Sequence, residues 1–214
     1  MSRITVIGGT GYAGSAIVAE AAARGHQVTA LSRSQPEAPV AGVAYVQGDA
    51  SDETTLASVI EGAEAVVAAL APRGPLAGVF REVNRTIARL ADAAGATLYV
   101  VGGASSLRPA LGADRFVTDL SHVPAELHEE VLAGAALVLE DLPATSGSLD
   151  WVFVSPALGF GAHVPGARLG RYRLGGEVSV DAGGGAISAE DYALGFVDLI
   201  ERGEHHRAHV NLGY

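Results

Sequence analysis

Between the apolar run "RITVIG" (3–8) and an alanine-rich, helical segment (15–24) the sequence reads "GGTGYAG", which puts glycines at positions 8, 9, 11 and 14. Both G-x-G-x-x-G (Gly9, Gly11, Gly14) and G-x-x-G-x-x-G (Gly8, Gly11, Gly14) fit this stretch. In a strand–turn–helix setting the pattern has a mechanical meaning. An early glycine permits the tight turn, the middle one lets the backbone approach a pyrophosphate, and the last lets helix and strand pack closely. The helix N-terminus adds free N–H groups and a partial positive charge. The stretch therefore predicts a dinucleotide loop built from Gly8, Thr10, Gly11, Tyr12, Ala13 and Gly14.

The same alternation continues along the chain. Strand-like runs at 27–33, 43–49, 63–70, 97–103 and 150–156 alternate with helical segments at 54–61 (capped by Asp52), 79–94 and within 125–141. Arg81, Arg85 and Arg89 stand four apart on one face of the second of these helices. After a less regular stretch that includes "EVSVDA" come a helix at 189–202, capped by Ser188, and a last strand in "AHVNLGY". Strands apolar on both faces, separated by helices, predict an α/β fold: a doubly wound, Rossmann-type parallel sheet covered by helices on both sides. The expected organisation is one domain over 1–214, with a cofactor-binding core (1–156) and a smaller substrate-side region (157–214).

Composition narrows the functions open to such a sheet. The mean hydropathy of +0.28 calls for a check on membrane spans. The longest stretch nearly free of charge, 142–167, is broken by Asp150, Pro143, Pro156 and Pro165, so no run reaches the ~20 apolar residues a spanning helix needs. With a strand so near the first residue and no charged leader before it, a cytoplasmic protein is expected. The net charge of −10 argues against nucleic acid and anionic membranes as partners. There is no cysteine, and all 14 basic residues are arginines. Thiolate chemistry, cysteine-held zinc and any lysine base or Schiff base are thereby excluded.

The end of the second strand bears on which dinucleotide is held. NAD-binding sheets usually carry an acid there, for the ribose 2′-OH. This chain has Ser32-Arg33-Ser34 and no acid before Glu37. An arginine suits a 2′-phosphate that a carboxylate would repel, so NADP(H) is expected over NAD(H). Asp49 and Ala50, after the third strand, are candidates for the adenine side, and Ala69, Leu70 and Ala71, after the fourth, for the ribose and pyrophosphate.

The "GGTGYAG" loop, "SR" after strand two, "GD" after strand three, "VVGGASSL" in and after strand five and "SPA" after strand six resemble the atypical short-chain dehydrogenase/reductases. "YRLGGE", "ISAEDYA" and the terminal "GY" are similar, more narrowly, to the NAD(P)H-flavin reductase group related to biliverdin reductase B and NmrA-like proteins. The resemblance implies hydride transfer from NADPH to a flavin, quinone or similar planar acceptor, with flavin as substrate rather than as bound cofactor. It also admits two alternatives: an NmrA-like redox sensor without turnover, and a sugar-nucleotide epimerase or dehydratase. The usual Tyr-x-x-x-Lys pair cannot exist here, since the chain has no lysine.

On that resemblance Ser105 or Ser106 stands near the nicotinamide, with Gly102, Gly103 and Pro156 lining its pocket. His128, near the tyrosine position of the long helix, is a candidate proton donor, and Tyr172 and Arg173 are candidates to close over the acceptor. His205, His206 and His209 lack nearby carboxylates to complete a metal site, so no metal is expected. A monomer or homodimer is expected.

Overall fold

The computed structural model describes residues 1–181 and 185–214, so Ala182, the last residue of "EVSVDA", lies outside the described residues. Eight strands form one sheet: β1 (Arg3–Ile7), β2 (Gln27–Ser32), β3 (Ala44–Gln47), β4 (Ala65–Ala68), β5 (Thr97–Val101), β6 (Trp151–Pro156), β7 (Arg173–Gly175) and β8 (Ala208–Gly213). Their spatial order is β3-β2-β1-β4-β5-β6-β8-β7, and every pair is parallel except β7 with β8. The chain is thus an α/β, Rossmann-like protein whose sheet gains an antiparallel edge. Residues after 156 add β7 and β8 to the same sheet.

Successive strand residues face opposite sides of a sheet, and here both sides are buried. Ile7, Val66, Leu98 and Phe153 pack with Leu56, Val83 and Ile87 of α2 (Glu53–Ile60) and α3 (Phe80–Ala94). Ile4, Val6, Val67 and Val152 face α1 (Tyr12–Ala23) and α5 (Ala189–Arg202), meeting Ile17, Val18, Tyr192 and Phe196. This two-sided burial is why the strands read as unbroken apolar runs. Each large side chain so removed from water contributes about 1.5–3 kcal/mol.

Polar contacts fix the helices where they do not pack. Arg81 and Arg85 both reach Asp141, and Arg89 pairs with Glu53, so the arginine stripe of α3 ties it to its neighbours. The segment expected as one long helix is three conformations in succession: a 3-10 turn at Ala125–Leu127, α4 (His128–Ala136) and a π-helical turn at Leu137–Asp141. The π turn buries Leu137 and Val138 while leaving Asp141 to the two arginines. α1 begins three residues earlier than its alanine-rich stretch suggests, because Gly11 itself is the N-cap. At the other end of the sheet Asp191 joins three parts of the chain, accepting from the backbone of Gly170 and from the hydroxyls of Ser188 and Tyr214.

Candidate functional site

The turn between β1 and α1 is pinned to the sheet by its first two donors, since Gly8 N–H and Gly9 N–H both reach the Leu31 carbonyl, at 2.8 and 3.1 Å. Gly8 has φ +87°, and a β-carbon there would lie 2.3 Å from the Ala69 carbonyl oxygen. One on Gly9 would meet Ala30 Cβ at 2.7 Å, and one on Gly14 the Gly8 oxygen at 2.1 Å. Those three glycines are demanded by the packing of the loop against β2, β4 and itself. Gly11 is different. Its φ of −72° and ψ of 172° suit any residue, and a β-carbon would meet only the Gly8 carbonyl oxygen, at 3.3 Å, a tight contact but much milder than the other three. Glycine at this position also keeps side-chain bulk away from the first turn of α1, whose N–H groups have no carbonyl within the helix to bond. A phosphate fits this backbone cradle.

At the end of β2, Ser32 Oγ donates to the Ser34 carbonyl at 2.8 Å and Gln47 Nε2 to that of Arg33 at 3.0 Å, which leaves the Arg33 side chain exposed at the strand end. Asp49 Oδ1 takes the backbone N–H and the hydroxyl of Ser51, at 2.9 and 2.8 Å. These bonds, the backbone one first, hold its carboxyl below the ordinary range, and the Arg33 charge adds to them. Asp49 thus serves the turn ahead of α2, beside the nearly buried Ala50.

Past the carboxyl ends of β4, β5 and β6 lies a cleft of about 790 Å³, within the range of small-molecule sites. Gly11, Tyr12 and Ala13 form one end of its lining, followed by Ala69–Leu70–Ala71, Gly102, Gly103, Ser105 and Pro156. Its other walls are Phe80, Phe116, Phe153 and Phe160, with Leu120, Val131 and Leu137. The polar rim is small: Arg73 and Glu130, paired at 3.1 Å, and His163. Tyr12 bridges the two ends. Its hydroxyl donates to the Pro165 carbonyl at 3.1 Å and its ring meets Phe160 edge-on at 5.2 Å.

Several residues expected at the site lie elsewhere. His128 is absent from the cleft lining: its Nε2 donates to the Val123 carbonyl at 2.8 Å, closing the turn before α4. The face of α4 toward the cleft carries Glu130, Val131 and Gly134 instead. Tyr172 donates to Asp198, more than a helical turn down α5 from Asp191, and Arg173 reaches the Tyr214 carbonyl at the β7 edge. Both therefore brace the C-terminal segment, away from the cleft. Of the two serines, Ser105 lines the cleft while Ser106 is 1% exposed beneath it. His206 pairs with Asp150 at 2.6 Å, and His209 is half-buried against Ser155. The aromatic wall, Arg73, Glu130 and His163 were missed by sequence reasoning because they come from separate helices, strands and loops with no common spacing.

A parallel sheet with a glycine-cradled helix end and a crevice at its carboxyl edge defines a Rossmann-fold, dinucleotide-binding protein. The sequence matches the NAD(P)H-binding family over residues 8–202, and the chain belongs to that family. It is 35% identical over 206 residues to the uncharacterized protein YwnB of Bacillus subtilis, covering 95% of this chain and 94% of that one. Among solved structures, a proposed epimerase from Bacteroides thetaiotaomicron superposes with a TM-score of 0.86 at 34% identity, covering 100% and 97% of the two chains. A proposed NADH-flavin reductase from Streptococcus pneumoniae gives 0.81 at 31%, covering 100% and 99%. No described helix is long and apolar enough to cross a membrane.

Proposed function

We propose that the protein is an NADPH-dependent reductase that passes hydride to a flavin, quinone or similar planar acceptor. The observation that carries this reading is the continuity of the glycine cradle with an apolar cleft walled by four phenylalanines. Tyr12 and Ala13, at the start of α1, would hold the pyrophosphate through backbone N–H groups, the Gly11 N–H being bonded to the Gly8 carbonyl, and Arg33 the 2′-phosphate through a charge-assisted bond. When bound, NADPH supplies the hydride. The chain's own work is then to orient two flat rings and exclude water, which the aromatic walls are suited to do. Ketone–alcohol chemistry has less support, since the chain has no lysine and α4 presents Glu130, already paired with Arg73, to the cleft. A planar acceptor that draws its proton from water needs no such acid.

The test is oxidation of NADPH and of NADH, followed at 340 nm, with FMN, riboflavin and a soluble naphthoquinone. Turnover with NADPH well above that with NADH is the expected result. Tight NADPH binding without turnover on any planar acceptor would favour the sensor alternative. Absence of dinucleotide binding would overturn the reading.

A further inference from the structure

Beneath the cleft floor, between β5, β6 and β8, lies a polar cluster that the proposed reaction leaves unused. Ser155, fully buried, donates through Oγ to the Gly103 carbonyl at 2.8 Å. The buried Ser106 hydroxyl reaches the same carbonyl at 3.2 Å. His209 Nε2 lies 2.9 Å from Ser155 Oγ and 3.4 Å from Ser106 Oγ. When the Ser155 proton points to Gly103, its oxygen accepts from His209 Nε2, which then carries the hydrogen. The imidazole is the neutral tautomer. Burial, the largest influence, lowers its pKa to about 4, which keeps it neutral near pH 7.

The target of this chain of bonds is one peptide group. No peptide bond among the described residues is cis, so the Gly103 carbonyl and the Ala104 N–H point in opposite directions. With the carbonyl held by the Ser155 and Ser106 hydroxyls, the Ala104 N–H faces away from them, and both Gly103 and Ala104 line the cleft. Gly103 also has a glycine that the protein does not require. Its φ of −113° and ψ of 159° are ordinary extended backbone, and a β-carbon would meet nothing closer than Ser105 Oγ at 3.8 Å. The adjacent Gly102 is the reverse case, with Phe153 2.1 Å from such a carbon.

We infer that Ser155 and His209 are positioning residues: they fix the Gly103–Ala104 peptide as a flat, donor-presenting floor for the nicotinamide end of the dinucleotide. This rests on the cofactor reading above and goes beyond it, because neither residue touches the cleft and neither belongs to the glycine loop.

The test compares ligands that share every group except the nicotinamide: NADPH against 2′-phospho-ADP-ribose, and NADH against ADP-ribose, titrated calorimetrically into wild type, Ser155→Ala, His209→Phe, His209→Gln and Gly103→Ala. In Ser155→Ala and His209→Phe the nicotinamide-bearing ligands are expected to bind about 5- to 10-fold more weakly, with the truncated ones within about twofold of wild type. His209→Gln, whose amide can donate to Ser155, is expected to restore most of the loss, and Gly103→Ala to show the same selectivity by filling the floor. A merely structural role would lower the thermal midpoint and weaken both ligand classes alike. Equal losses for the two classes, or no loss in either, would overturn the inference and leave the cofactor reading intact. Wild-type protein that binds none of the four ligands would remove both.

Discussion

The two ends of the cleft are built in different ways. At the glycine-loop end one continuous stretch, residues 8–14, brings Gly11, Tyr12 and Ala13 to the cleft, while Gly8, Gly9 and Gly14 pack that stretch against the sheet and itself. At the proposed acceptor end Phe80, from the start of α3, Phe116, from a 3-10 turn, and Phe160 and His163, from the segment after β6, meet across the cleft, and side chains do the lining. A backbone site tolerates little change in residue size and carries no titratable group at its centre. A side-chain site can be altered one wall at a time, and the half-buried His209 stands beneath this one through Ser155. Tyr12 joins the two regimes, with its backbone in the glycine loop and its hydroxyl on Pro165.

The largest effect expected from this contrast is at Gly14. Gly14→Ala drives a carbon into the Gly8 carbonyl, so a loss of about 3 kcal/mol or more in folding stability is expected by urea denaturation. Gly11→Ala, where the added carbon presses on the Gly8 oxygen only to 3.3 Å, is expected to cost about 1 kcal/mol of stability yet weaken NADPH at least roughly tenfold. Similar stability losses for both would show that Gly11 too serves only the fold.

Arg33→Ala comes next. On the proposed reading it removes a charged hydrogen bond worth about 1.5–3 kcal/mol from NADPH, a roughly 10–150-fold rise in its dissociation constant, with NADH nearly unchanged. Parallel losses for both cofactors in calorimetry would remove the 2′-phosphate assignment.

The histidine beneath the acceptor end sets a pH dependence that the glycine loop lacks. The folded pKa of His209 is about 4 against an ordinary 6.5, so between those values the unfolded chain binds the extra proton. The contribution is fully present above about pH 6.5, shrinks as pH falls and is gone near pH 4. It amounts to on the order of 3 kcal/mol. His209→Gln is expected to lose this slope in urea midpoints measured from pH 7 to 4. A variant that keeps the wild-type slope would place the titration elsewhere.

The smallest effect is expected at the aromatic wall. Phe116→Ala uncovers part of one side of the cleft, so the KM for a planar acceptor is expected to rise about fivefold, near 1 kcal/mol, with NADPH affinity held within about twofold. A larger change in NADPH than in acceptor would mean that the two ends are not separate.

The sequence by itself determined the parallel strands of the sheet and the glycine loop, while the antiparallel edge strand β7 lay in a stretch that read as irregular. Strands buried on both faces must be apolar throughout, and a tight strand-to-helix turn must be glycine, so both are written in short, contiguous stretches such as 3–14 and 63–70. Only the tertiary structure decided which way side chains on irregular segments point. His128 and Glu130 are two residues apart on α4, yet the first closes a turn and the second lines the cleft. Ser105 and Ser106 are neighbours, with one in the cleft and the other beneath it. Tyr172 turned to Asp198 because a packed helix lay there to receive it. Such choices depend on partners tens of residues away, brought close only when the sheet assembles, and no local spacing records them.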